Sequence, residues 1–145
     1  MIQKCIRLLH ETAIPQIDEL FGFETGAFAI DVFGGVFCFH NTVYYFAPDV
    51  LEFENLNISK ATWDVWVKTK QANLFYKAWR WKGMGNDLRK LKKHEGFLIY
   101  PPLWAKECNI ETASKKPMHL LLVVSAELEL RQSLRQLQED GQIQS

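Results

Sequence analysis

The stretch from Gly26 to Glu54 limits the fold more than any other part of the chain. Its apolar residues recur with a period of two, and turn residues cut it at short intervals. "GAFAIDVF" reads as a strand with Phe28, Ile30 and Val32 on one face. Gly34 and Gly35 accept positive φ without penalty, so they suit a tight hairpin turn or a bulge within one longer strand. "VFCFH" follows, with Phe37 and Phe39 on one face and Val36, Cys38 and His40 on the other. "NT" at Asn41 and Thr42 offers a second two-residue turn. "VYYF" is apolar on both faces, which suits a strand covered on both sides. Pro48 interrupts the ladder, and "VLEFE" resumes it with Leu51 and Phe53 opposite Glu52 and Glu54. Those two glutamates share a face, which reads as a solvated surface that discourages edge pairing. Asp49, next to Pro48, reads as a turn residue.

The flanks are helical. Ile2, Ile6, Leu9 and Ala13 have helical spacing, so residues 2–12 are expected to form a short helix. A second begins at Pro15 and closes at Gly22. Ser59 suits the N-cap of "KATWDVWVKT", which places Trp63, Trp66 and Val67 on one stripe. "QANLFYKAWRW" reads as the next helix and "NDLRKLKK", capped by Asn86, as a third. "GFLIY" is a strand stopped by "PPLW", and residues 108–116 read as loop. The apolar run near the C-terminus is divided into a strand from Met118 to Val124 and a helix from Ser125 to about Glu139, with Gly141 as its C-cap. The chain has 145 residues and 13% aromatics, enough to bury a core, and is expected to be one globular domain over residues 1–145. The fold class is α+β: a mostly antiparallel sheet of about four to six strands packed with several short helices.

The same residues disfavour several kinds of chemistry. Formal net charge is zero, so no global field draws the chain to nucleic acid or to an anionic membrane. Cys5, Cys38 and Cys108 are odd in number and form no CxxC, which points to a reducing compartment, and the cytoplasm is the expected location. No apolar run is long enough to span a membrane. His10, His40, His94 and His119 lie singly, without metal-ligand spacing, and no phosphate-binding loop motif occurs. No catalytic residue, metal or cofactor is assigned. Between Lys77 and Lys93 the chain is basic, with Lys82, Arg89, Lys90, Lys92 and Lys93 as its patch and Trp79 and Trp81 interleaved. Such a pattern can grip a single-stranded nucleic acid or an acidic protein, and the neutral chain disfavours the first.

"FGGVFCFHN", "VYYFAPDVLEFENL", "LFYKAWRWKG" and "GFLIYPPLWAKE", in that order and spacing, resemble an uncharacterised bacterial family, domain-of-unknown-function family 2625. The resemblance covers residues 26–117. It rests on the Tyr45–Asp49 run, on Phe75 and Tyr76 with Arg80 and Trp81, and on the Tyr100–Trp104 run. Phe53 stands where that family usually has tryptophan, and a glycine-rich stretch of the family is trimmed to Asn41–Thr42. The longer N-terminal portion of relatives is expected to be missing or shortened here. The family brings no established activity. A looser similarity, to the SUKH immunity superfamily, implies toxin binding. The leading expectation is therefore a non-enzymatic protein-binding module whose partner is another protein, in the immunity-like form a toxin. The alternative is a small-ligand binder or enzyme whose cleft gathers Tyr45, Asp49, Arg80, Trp81, Tyr100 and Trp104, with Arg80 clamping a carboxylate or phosphate.

Overall fold

The computed structural model describes residues 5–144, the last four by backbone alone. Its centre is an antiparallel meander of five strands in sequence order: β1 (Ile6–Leu8), β2 (Ala27–Asp31), β3 (Val36–His40), β4 (Thr42–Ala47) and β5 (Glu52–Asn55). A second, two-stranded antiparallel sheet pairs β6 (Glu95–Tyr100) with β7 (Ser114–His119). The helices are α1 (Ile14–Phe21), α2 (Lys60–Trp66), α3 (Lys70–Phe75), α4 (Met84–Lys90) and α5 (Leu120–Gln144), with a 3-10 turn at Lys77–Trp79. This is the expected α+β class.

Local chemistry accounts for many of the boundaries. Pro15 lies in the first turn of α1, and Gly22, at φ 84°, ends it with its N–H on the carbonyl of Asp18. The Ser59 hydroxyl accepts from the Thr62 N–H and opens α2. Gly34, at φ 85°, turns β2 into β3, while Asp31 N–H meets Gly35 carbonyl at 2.9 Å and Gly34 N–H meets Asp31 carbonyl at 3.0 Å. Asn41 alone, at φ 64°, separates β3 from β4.

Alternation along the strands feeds two cores. One face of the sheet packs Phe37, Val43 and Tyr45 against Trp63, Ala72, Tyr76 and the α4 residues Met84 and Leu88. The other packs Val36, Cys38 and Phe46 against Ile17 of α1 and Leu120 and Val124 of α5. β4 is thus covered on both sides, as its sequence implies. Val32 joins the two sheets: its N–H meets the Cys5 carbonyl at 2.8 Å, and its carbonyl receives the Phe97 N–H at 2.7 Å.

Several local expectations are corrected. Ile6–Leu8 forms an edge strand in register with Asp31, Ile30 and Ala29, not part of a helix, because pairing with β2 outweighs the helical spacing; residues 1–4 of that expected helix lie outside the described residues. A register shift between Ala27 and Ala29 moves Phe28 to the Trp63 side, so Phe28 and Ile30 do not share a face. α4 starts at Met84 after Gly83 at φ 87°, so Asn86 is not its cap. α3 stops at Phe75, and Tyr76, which leaves helical geometry at φ −98° and ψ 9°, is buried. β7 occupies Ser114–His119, and the apolar run from Leu120 is the first turn of α5, not a strand. That helix runs through Gly141 to Gln144.

Candidate functional site

The most unusual chemistry is inside the protein. Asp31 ends β2 with no solvent exposure. Its Oδ1 accepts from the N–H groups of Phe33 at 2.9 Å and Gly35 at 2.8 Å. Its Oδ2 accepts from the hydroxyls of Tyr45 at 2.5 Å and Tyr76 at 2.8 Å. Four donors saturate the carboxylate, as a buried carboxylate requires. Burial nevertheless dominates and pushes the Asp31 carboxyl up to about 6, against those four hydrogen bonds. Burial, and next the Asp31 charge, also push both tyrosines and Glu127 well above their ordinary ranges. The Oε2 of Glu127 is buried without a hydrogen-bond partner, although the residue as a whole is half-buried. A Cβ on Gly35 would lie 2.5 Å from Asp31 Oδ2, so only glycine lets Tyr45 and Asp31 meet there.

Strongly shifted groups often mark active sites. Here Asp31, Tyr45 and Tyr76 have almost no solvent exposure, whereas Glu127 is half-buried and lines a cleft of about 170 Å³ with Phe33, Phe97 and Leu130. The cluster fastens the β2–β3 turn, β4 and the end of α3 together. The sequence carries a sign of it, a single carboxylate inside an apolar strand immediately before a Gly-Gly turn.

The six residues of the expected cleft take different positions. Tyr45 and Trp81 are in the core, and Trp81 Nε1 donates to Asp87 Oδ2 at 2.8 Å. Arg80 is exposed and donates to Asn73 Oδ1 at 2.8 Å, not to Asp49. Asp49 is half-buried in the turn between β4 and β5. Tyr100, 71% exposed, ends β6. Trp104, 44% exposed, lies in the following loop. The basic patch is exposed at Lys82, Arg89, Lys90, Lys92 and Lys93. Arg89 and Lys90 close the last turn of α4, where cations suit the helix dipole. The backbone N–H of Lys82 is held by the Glu111 carboxylate.

Of the six, Trp104 lines a surface groove of about 380 Å³, together with Val50, Glu52, Arg131, Arg135 and Leu137. Glu52 receives Arg131 at 3.2 Å and Arg135 at 3.5 Å. The Arg131 guanidinium also covers the Phe46 ring at 5.7 Å, and its buried Nε has no hydrogen-bond acceptor. Val50 is 47% and Leu137 66% exposed, so three apolar side chains surround two guanidiniums that share one carboxylate. Sequence reasoning selected Trp104 but not its neighbours on α5, whose last helical turns lie outside the recognised motifs.

Residues 22–123 match the model of the family described as "Protein of unknown function DUF2625". The chain belongs to that family. The matched segment holds Asp31, Tyr45, Tyr76 and Trp104 but leaves out β1, α1 and nearly all of α5. The chain is also similar to the uncharacterised protein YbfG of Escherichia coli (strain K12), 28% identical over 129 residues. That alignment covers 83% of this chain and 59% of YbfG, so the chain spans less than two thirds of that relative. No solved structure matches. Among the described residues no helix is long and apolar enough to cross a membrane, and no three His, Cys, Asp or Glu side chains are placed to hold a metal ion.

Proposed function

We propose that this protein is a non-enzymatic protein-binding module whose recognition face is the groove between the β4–β5 turn, the Trp104 loop and α5. The observation that carries this reading is the exposure of Trp104, Val50 and Leu137 around Arg131 and Arg135. Tryptophan and arginine are enriched among residues that dominate binding energy, and the groove offers both beside exposed aliphatic side chains. The burial of Asp31, Tyr45 and Tyr76 supports the non-enzymatic half, since these three groups have almost no surface to offer a substrate.

The two arginines facing one glutamate favour a partner segment that brings apolar anchors and an acidic residue. A protein toxin neutralised by capture is the narrower form of this reading. The test is affinity capture from source-organism extract, with native protein and a Trp104→Ala/Leu137→Glu variant side by side. Both changed side chains are exposed, so the fold should persist. A partner held by the native protein and released by the variant supports the proposal. Equal retention, or turnover of a small molecule with no retained partner, sinks it.

A further inference from the structure

The sequence scatters its histidines, but the fold brings three of them to one cleft. His10 follows β1, His94 precedes β6 and His119 ends β7. The rings of His94 and His119 stack at 6.1 Å between centroids, and His10 meets His94 edge-on at 6.4 Å. Together they form part of the rim of a cleft of about 540 Å³, within the size range of small-molecule sites. Lys93 and Arg7 also line it, and among the described residues none of its lining is a carboxylate. The floor is apolar: Ile17 and Ile30 are buried, and Leu120 closes one side.

Hydrogen bonding fixes one of the donors. The Leu121 N–H donates to His119 Nδ1 at 3.2 Å, so a neutral His119 carries its proton on Nε2. His119 therefore presents an N–H rather than a second acceptor. Lys93 is exposed on the same rim and has only donors to offer. An apolar floor under a rim that carries Lys93 and the His119 N–H matches a molecule with a hydrocarbon body and an anionic head. We propose that this cleft binds a small amphipathic organic anion, of the class of a medium-chain carboxylate. None of the residues that line the Trp104 groove lines this cleft, so the two proposals stand or fall separately.

The test uses two fluorescent probes of similar shape: anionic anilinonaphthalene sulfonate and uncharged phenylnaphthylamine. The native protein should brighten both, and octanoate should displace them. Lys93→Ala/His94→Gln removes two exposed rim side chains and should weaken the anionic probe about tenfold while sparing the neutral one. Gln16→Trp, on the exposed wall of α1, should fill the cleft and abolish both signals. Circular dichroism checks that both variants fold. The proposal is overturned if neither probe nor octanoate binds, if the rim variant affects the two probes equally, or if binding survives the filled cleft.

Discussion

Asp31 and Glu127 both couple the stability of this fold to pH, and Asp31 is the one held by four hydrogen bonds. The Asp31 carboxyl is raised in the folded protein from its ordinary 3.8 to about 6. Between those values the native state holds a proton that the unfolded chain has released. Stability from this group is therefore complete below about pH 4 and is lost as pH rises through about 6, a swing of roughly 3 kcal/mol at most. Asp31→Asn keeps the shape and removes the titration. Urea melts across this window should show the native protein losing stability relative to the variant as pH rises; parallel curves would refute the assignment. Glu127, raised in the same direction, should keep some slope in both proteins. Gly35→Ala forces a methyl between Tyr45 and Asp31 and should cost about 1–3 kcal/mol in the same melts. The sequence shows Asp31 and Gly35 plainly but not their meeting with Tyr76, which lies 45 residues further along the chain. A period-two pattern reports which face a side chain takes, not which hydroxyl waits there.

At the level of elements, success followed local chemistry. α1 begins and ends where proline and glycine require, and α2 starts at the serine that caps it. Ser59→Ala should therefore cost about 1 kcal/mol, read as a lower denaturation midpoint with unchanged cooperativity. Failure followed apolar runs too short or too uniform to report their period. Leu120–Val124 has five apolar residues in a row, and such a run reads equally well as strand or helix. The sheet decides: Leu120 and Val124, four apart, share one core, whereas Leu122 is 57% exposed. Ile6–Leu8 is extended because β2 offers it an edge, information held in another part of the chain.

Taken whole, the molecule is tied together where its two sheets meet. Gly96 packs so closely that an added Cβ would lie 2.6 Å from the Val32 carbonyl oxygen and 2.5 Å from a Leu120 methyl. Gly96→Ala should loosen the small sheet from the large one. Hydrogen exchange would register this as faster exchange at Phe97 and along β6–β7, with β3–β4 less affected; uniform acceleration would mean the sheets unfold as one unit. The family was legible from four phrases, because each places aromatics around a turn that the fold needs. The Trp104 groove and the histidine cleft were not legible, since each is assembled from segments far apart in sequence.

The pairing of β6 with β7 also limits how this protein can meet another chain. Phe97 sends its N–H to Val32, away from β7, so Phe97 and Pro117 are an opposed pair that exchanges no backbone hydrogen bonds. The nitrogen of Pro117 therefore faces the outer edge of β7, where a docking strand would need a donor and finds none. Lys115 and Lys116 precede it, and burying their charges against another backbone is costly. Pro117 and its lysine neighbours thus disfavour a partner strand that would lengthen the sheet at this edge.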